Sequence, residues 1–259
     1  MDLENFIKPN IEPIYIKTIY EQRQENLKNI FSDNGLFKKV ENFSERTGYN
    51  ETLIWHQLND TNNLFPCIFI KDPAKQGIHQ KIACEYISTF PIIRNMEQLP
   101  VSDDEKTLYC INGIIVKRKE IQDTGTLKSI DFHWQYCFCG KLLDFYASHK
   151  YTNEKGGAQD NQFHDILEFH KEAIKCNNPN LFFFSITDGD YYKYPYQKYK
   201  NKIEYMNELY SGNRNMATTT NHLLNDMIPI ICIWLRNNFS EDIIKEEIKK
   251  LNKLLEICS

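Results

Sequence analysis

The order of strand-like and helical segments in the middle of the chain restricts the fold more than any other feature. Two segments rich in aromatic and aliphatic residues are joined by a tight turn at Cys139-Gly140; a polar loop, a helical segment and a short, strongly apolar run follow. In order, these segments are Leu127–Phe138, Lys141–Thr152, Ala158–Ile174 and Leu181–Thr187. This order predicts an α/β fold with a central mixed β-sheet.

Segments on both sides of this block are predicted to be helical. Residues 1–100 form a mainly helical N-terminal part, with a strand-type run at Cys67–Lys71. Residues 105–192 form the predicted α/β core, and residues 193–259 a helical C-terminal part with a polar loop at Ser211–Thr219. We expect a single domain of 259 residues in which helices flank the sheet.

Composition argues against several classes of protein. Apolar residues make up 41% of the chain, so a sizeable core is possible and global disorder is not expected. The net charge of −4 argues against a protein that coats polyanions with its whole surface, although it allows a local basic cleft. The most apolar run, Met227–Leu235, is far shorter than the roughly 20 residues of a membrane-spanning helix.

The eight cysteines favour reduced thiols in a cytoplasmic protein. The sequence has no Cys-x-x-Cys pair, and its N-terminus does not resemble a signal peptide. Cys137 and Cys139 are two residues apart, but a zinc site would need two further ligands nearby. A structural zinc site is therefore not expected.

Asp131 lies among apolar residues of the first predicted strand, in the run Ser129–Trp134. A carboxylate on a half-buried strand is costly unless it is paired or bound to a cation. The next strand ends near Lys150, and antiparallel pairing would bring Asp131 close to Ser148 and Lys150. His149 alternates with these two residues and should face the other side of the sheet.

The helix that follows carries further carboxylates, Asp160, Asp165 and Glu168. Asp165 and Glu168 are three residues apart and therefore share one helical face. Phosphodiester cleavage needs these residue types together, because carboxylates hold Mg²⁺ and a lysine orients the attacking water and stabilises developing charge.

The run from Ser129 to Tyr192 resembles the catalytic core of PD-(D/E)xK restriction endonucleases. In that family an aspartate on one strand is followed by Glu-x-Lys on the next strand. Asp131 matches the aspartate, and Lys150 matches the lysine. The resemblance covers about a quarter of the chain.

Two shorter motifs extend the resemblance. Gln159-x-x-x-Phe163 is similar to a glutamine-plus-aromatic motif that some members carry after the lysine strand. Asn180–Tyr192 resembles the next core strand and its turn, as in relatives of GATC-cutting enzymes. Because each motif is short, the resemblance is specific only through the order and spacing of the motifs.

The sequence departs from the family pattern at Ser148, which stands where the family has glutamate. Serine cannot replace a carboxylate as a strong Mg²⁺ ligand. Some restriction endonucleases look similar, with Ser-x-Lys on the strand and the missing acid on the next helix. The resemblance then implies Asp165 as that acid, with Glu168 and Glu154 as the next candidates. Asp144 is a further candidate if the strand register differs. Loss of activity is the other explanation.

The resemblance thus implies two overlapping sets of site residues. The candidate catalytic residues are Asp131, Ser148, Lys150 and Asp165, and the candidate Mg²⁺ ligands are Asp131, Asp165 and Glu168.

Two polar segments are candidate DNA contacts. Residues 190–202, the basic loop, interleave tyrosines with lysines, which suits phosphate contacts and packing against bases. A tyrosine-rich loop packed on the core is an equal alternative. In residues 211–221, Arg214 could read guanine and Asn213 or Asn215 adenine, with a plain helix-capping loop as the alternative. The lysines of interest in the basic loop are Lys193, Lys198 and Lys200.

The resemblance implies a type II restriction endonuclease of a restriction-modification system, which cleaves double-stranded DNA with Mg²⁺. Such enzymes usually act as homodimers, because a two-fold protein matches a palindromic site. The alternatives are a repair or recombination nuclease with the same core and a catalytically inactive DNA-binding protein. An unrelated helical interaction protein would keep Asp131 and Lys150 far apart.

Overall fold

The structure is a computed structural model that describes residues 6, 8–60, 64–70, 77–100, 104–125, 127–153, 157–210 and 214–258. The chain divides into two compact units. One is Glu12–His79, and the other joins the start of the chain, up to Ile11, to Gln80–Ser259. Among the described helices, none is long and apolar enough to cross a lipid bilayer.

The secondary structure alternates between helical stretches and strands along the chain. The helices are α1 Ile11–Lys28, α2 Leu36–Thr47, α3 Glu51–Leu58, α4 Ile78–Ser88, α5 Gly157–Ala173, α6 Lys202–Leu209, α7 Leu223–Asn238 and α8 Glu241–Cys258. The strands are β1 Arg94–Gln98, β2 Leu108–Ile111, β3 Ile114–Lys117, β4 Phe132–Phe138, β5 Lys141–Tyr151, β6 Leu181–Asp188 and β7 Asn215–Thr218.

The Glu12–His79 unit is helical, and two of its helix ends have well-defined caps. Gly48 ends α2 with a left-handed φ of 75°. Asn50 begins α3, where its side chain accepts a hydrogen bond from the Thr52 amide at 2.8 Å. The buried residues of this unit's core are Ile30, Leu36, Val40, Ile54, Leu58 and Phe69.

The strand predicted at Cys67–Lys71 is wrong. Phe65–Ile68 form a 3₁₀ turn, because Pro66 fixes a helical φ and has no amide hydrogen to donate to a neighbouring strand. Lys71 lies outside the described residues.

The larger unit is built on a five-stranded sheet with the strand order β1-β4-β5-β6-β7. The β1–β4 and β4–β5 pairs are antiparallel, whereas the β5–β6 and β6–β7 pairs are parallel. α5 makes the crossover between β5 and β6 that a parallel pair requires. The predicted class, an α/β fold with a helix-flanked mixed sheet, is confirmed.

The β4–β5 hairpin has the tight turn that the sequence predicts. Cys139 and Gly140 have φ values of 47° and 77°, so both turn residues are left-handed, as in a two-residue type I′ turn. The hairpin register places Phe132 opposite Ala147. A slip by one residue would move every side chain of the strand to the other face of the sheet.

Helices cover both faces of the sheet. On one face, called the α7 face, Trp134 of β4 donates its indole N–H to Met227 Sδ at 3.2 Å. On the other, called the α5 face, the rings of Phe169 and Phe183 meet edge to face with their centroids 6.1 Å apart. These contacts place α5 above β6, next to β5, the strand that carries Lys150.

Sequence patterns missed β1 and β7. β1 is exposed at four of its five residues, so it lacks the apolar alternation by which a half-buried strand is recognised. β7 has four residues and lies inside the predicted loop Ser211–Thr219. A second sheet, formed by β2 and β3, turns at Asn112 and Gly113, which both have positive φ.

Candidate functional site

Asp131 immediately precedes β4, and its amide donates to the Ala147 carbonyl of β5 at 2.8 Å. Oδ2 of its carboxylate accepts hydrogen bonds from the His149 amide at 2.7 Å and from Ser148 Oγ at 3.4 Å. Oδ1 accepts a hydrogen bond from Gln80 Nε2 at 2.9 Å. Donors from β5 and α4 therefore fix the orientation of this carboxylate.

Lys150 lies on the same side of the sheet as the Asp131 carboxylate. Its Nζ is 3.9 Å from Asp131 Oδ2, and the two side chains are 24% and 13% exposed, so solvent reaches both. Ser148 and Lys150 share the α5 face because strand residues alternate. The predicted proximity of Asp131, Ser148 and Lys150 is confirmed; their chemical roles remain predictions.

The predicted acids of α5 form ion pairs of their own. Asp165 Oδ1 is 3.0 Å from Nζ of Lys128, which lies three residues before Asp131 in the chain. Glu168 pairs with Lys171 of the same helix at 3.2 Å and is the more exposed of the two acids. Lys128 therefore ties Asp165 to the segment that leads into Asp131, whereas the ion pair of Glu168 stays within α5.

The remaining acid candidates occupy other positions. Asp160 accepts a hydrogen bond from the Tyr191 hydroxyl at 2.5 Å. Asp144 accepts one from Gln135 Nε2 at 2.7 Å, in a network of the α5 face. Glu154 lies outside the described residues.

The chemistry of Asp131 and Asp165 fits a Mg²⁺ ion. Mg²⁺ prefers hard oxygen ligands and is usually held by one or two carboxylates together with waters and substrate phosphates. Each of these two carboxylates has a lysine ammonium nearby: Lys150 Nζ is 3.9 Å from Asp131 Oδ2, and Lys128 Nζ is 3.0 Å from Asp165 Oδ1. Within the described ranges, no three His, Cys, Asp or Glu side chains are arranged as a ready-made metal site.

A buried polar network lies on the α7 face, behind this cluster. His149 Nε2 is 3.2 Å from Asp188 Oδ2, which also accepts a hydrogen bond from the Thr220 hydroxyl at 2.6 Å. Burial raises the pKa of Asp188, but hydrogen bonds from His149 and Thr220 outweigh burial and hold that pKa below its ordinary value. The prediction that His149 faces away from Ser148 and Lys150 is confirmed.

A second acid–histidine network connects three strands on the α5 face. His133 of β4 has Nδ1 2.9 Å from Glu97 Oε1 of β1 and Nε2 2.9 Å from Asp144 Oδ1 of β5. Burial lowers the pKa of His133, but hydrogen bonds to Asp144 and Glu97 outweigh burial and raise that pKa. Burial raises the pKa of Asp144, but the hydrogen bonds from His133 and Gln135, together with the charge of His133, outweigh burial and lower that pKa.

The basic loop has both buried tyrosines and exposed lysines. Tyr191 and Tyr192 are buried in a core cluster with Phe163 of α5. The predicted DNA-contacting lysines are exposed: Lys193, Lys198 and Lys200. Two of these lysines pair with exposed carboxylates, in contacts that are weak in water and that phosphate groups can replace.

The three candidates for base recognition differ in their positions. Arg214 is half-buried and donates from Nη1 to the Pro179 carbonyl at 3.0 Å. Asn215 is buried in β7, where Nδ2 donates to the His170 carbonyl at 3.3 Å, so we leave it out of the proposed DNA surface. Asn213 lies outside the described residues.

Sequence reasoning missed three residues that support the site: Gln80, Lys128 and Asp188. Asp188 ends a strongly apolar strand, and a carboxylate in that position is a signal that could have found it. Lys128 and Gln80 carry no such signal, because their partners belong to other elements.

Comparisons with known proteins assign no family. No protein-family model, no curated protein sequence and no solved structure matches the chain significantly. The functional interpretation therefore rests on the geometry of the site and on the order of the strands around it.

Proposed function

We propose that this chain is a Mg²⁺-dependent deoxyribonuclease that cleaves double-stranded DNA at a defined site, as a type II restriction endonuclease does. The observation that carries the proposal is the approach of Lys150 Nζ to within 3.9 Å of Asp131 Oδ2 from a neighbouring antiparallel strand. A helix and a parallel strand follow that lysine, in the order that the resemblance to restriction endonucleases predicts.

Each residue of the cluster has a role that its position allows. Lys150 would orient the attacking water and offset negative charge that develops on the phosphate. Ser148 and the His149 amide keep the Asp131 carboxylate in one orientation through their hydrogen bonds. Asp165 would supply the second carboxylate once Lys128 has turned away from it.

Asp131 and Asp165 would hold the Mg²⁺ ion. When bound, Mg²⁺ neutralises charge on the phosphate and lowers the pKa of a coordinated water. The exposed lysines of the basic loop would contact DNA phosphates, which requires local positive charge but not a positive net charge. We propose that two copies of the chain act together on a palindromic site.

A catalytically inactive DNA-binding protein is the second candidate function, and two observations favour it. Ser148 donates to Asp131 from the position where the family has glutamate, so β5 provides no carboxylate beside Lys150. Lys128 also neutralises Asp165, the proposed substitute. A protein of this kind would bind duplex DNA and leave it intact.

Incubation of the purified protein with mixed-sequence plasmid DNA, with and without Mg²⁺, tests the proposal. Lys150→Ala is the informative variant. Lys171→Ala is its matched control, because it removes an exposed lysine of α5 that pairs with Glu168. We expect discrete fragments from wild type and Lys171→Ala in Mg²⁺, and at least about 100-fold less cleavage by Lys150→Ala.

The possible results separate the candidates. Binding without cleavage by the wild type would favour the inactive protein. Cleavage without discrete fragments would favour a repair or recombination nuclease. Cleavage at the wild-type rate by Lys150→Ala would exclude the proposed role of Lys150.

A further inference from the structure

Lys202, the first residue of α6, is buried within a cage of aromatic rings. Its Nζ is 4.1 Å from the ring centroid of Tyr191, 5.0 Å from that of Tyr196 and 5.6 Å from that of Phe163. The residue is 8% exposed. At these distances an ammonium group is attracted to the negative faces of the rings.

Two features make this position unfavourable for a lysine in the absence of the cage. Burial removes water from the ammonium group, and a cation in the first turn of a helix lies at the positive end of the helix dipole. Attraction to the ring faces offsets part of this cost. Asp160 adds negative charge beside the cage, since it accepts the hydrogen bond of the Tyr191 hydroxyl. The cage therefore favours a lysine at a position that α6 alone would disfavour.

The cage also closes the basic loop. Its three rings come from α5, from the 3₁₀ turn after β6 and from the middle of the loop, while Lys202 is the last residue of the loop. Tyr196 and Tyr199 exchange backbone hydrogen bonds of 3.2 and 2.9 Å, so Lys198 lies at a tight tip between them. The loop that carries the exposed lysines is thus anchored at both ends, because residues near its start and its end contact each other in the cage.

We propose that Lys202 is a positioning residue for DNA binding. Its ammonium group, enclosed by the three rings, holds the basic loop in the conformation in which Lys193, Lys198 and Lys200 meet the phosphate backbone. Lys202 acts through the loop and does not touch the DNA. This inference rests on the proposed function, because it assigns the loop to duplex DNA.

The test uses full-length protein and a fluorescent DNA duplex without divalent metal, so that binding is measured without cleavage. Lys202→Met keeps the length of the side chain and removes its charge, whereas Lys202→Arg keeps a cation that also binds ring faces. Lys171→Met is the matched control, because it removes one exposed lysine charge from α5. Fluorescence anisotropy over a range of salt gives the affinity, and hydrogen exchange reports on amides 190–202.

We expect Lys202→Met to bind DNA about tenfold more weakly, with a smaller dependence of affinity on salt, because loop lysines leave the phosphates. Its loop amides should exchange faster than those of the wild type. Lys202→Arg and Lys171→Met should stay within about twofold of the wild-type affinity. A purely structural role would lower the melting temperature and leave the salt dependence unchanged.

Wild-type affinity, salt dependence and loop exchange in a folded Lys202→Met protein would overturn the inference. If Lys202→Met does not fold, Lys202→Ala with added ethylammonium serves instead. Return of loop protection and affinity with that cation, but not with neutral propanol, supports the inference, and no return overturns it. A wild type that binds no duplex at any salt would refute the proposed function, a result distinct from equal binding by wild type and variant.

Discussion

Lysines neutralise both acids that are proposed to hold the metal ion, and their positions give them different tasks. Lys150 lies on the strand beside Asp131, where it can stay close to the phosphate after a metal binds. Lys128 lies 3.0 Å from Asp165 and must leave that carboxylate before a metal can use it. At the scale of single residues, this arrangement distinguishes Asp165 from Glu168, whose partner lies within the same helix.

Asp165→Asn is expected to reduce DNA cleavage by roughly 100-fold or more, because it removes one of two carboxylates available to the metal. Glu168→Gln is the matched control, since it makes the same chemical change three residues along α5 and should retain cleavage. The yield of discrete fragments at fixed Mg²⁺ measures both variants. Equal activity of the two proteins would show that Asp165 is not the second acid.

A Ser148→Glu substitution in the Asp165→Asn protein extends this prediction. The new carboxylate would enter β5 beside Lys150, at the position where the family has its own acid. Partial recovery of cleavage would indicate that the helix acid replaces a strand acid in this chain. No recovery, in a folded protein, would count against that interpretation.

At the scale of secondary-structure elements, the edge strand β1 is attached to β4 partly through a histidine whose protonation changes its hydrogen bonds. His133 of β4 lies between Glu97 of β1 and Asp144 of β5, with 2.9 Å to each carboxylate. A protonated imidazole donates to both acids, whereas a neutral imidazole has a single N–H and can donate to one. The attachment of β1 should therefore weaken when His133 loses its proton.

His133→Gln should lower the free energy of unfolding more at about pH 5.5 than at about pH 9. The folded-state pKa of His133 is raised, so its contribution is fully present below the unfolded pKa of about 6.5 and is lost as pH rises through the folded pKa. Asp144, whose pKa is lowered, stays ionised at both pH values. Urea unfolding of both proteins should show a difference that shrinks by on the order of 1 kcal/mol between the two pH values. A constant difference would contradict the proposed charge state.

Sequence patterns predict those elements whose apolar spacing is regular. The β4–β5 hairpin, α5 and β6 were predictable, and alternation along β5 placed Lys150 and His149 on opposite faces. The short polar strands β1 and β7 were not, because pairing with neighbouring strands defines them more than their own residues do. Contacts such as Gln80 with Asp131 depend on how α4 packs, which no local pattern encodes.

For the whole molecule, the proposed reaction concerns more than one copy of the chain. The cluster around Asp131 belongs entirely to the larger of the two units, so one copy offers one such site in the described structure. A duplex has two strands of opposite direction, and a two-fold pair of sites matches them. Double-strand cleavage at a palindrome is therefore expected to need two chains.

Mixing wild type with an excess of Lys150→Ala protein tests this expectation. Most wild-type chains would then share a dimer with an inactive partner, so supercoiled plasmid should accumulate as nicked circles instead of linear DNA. Mixtures with Lys171→Ala should continue to give linear DNA, and light scattering of the wild type should give twice the mass of one chain. If the amount of linear product instead depends only on the concentration of wild-type chains and not on the added variant, single chains cut both strands.

The geometry of β1 also has a consequence for aggregation in concentrated solution. It forms one edge of the five-stranded sheet, and its register with β4 shifts between Arg94 and Glu97, with Asn95 left-handed at a φ of 52°. An irregular edge of this kind does not offer the straight row of amides and carbonyls on which another strand could be added. Growth of fibres by strand addition is thus obstructed at β1, and two chains that assemble on DNA are not expected to join their sheets through this edge.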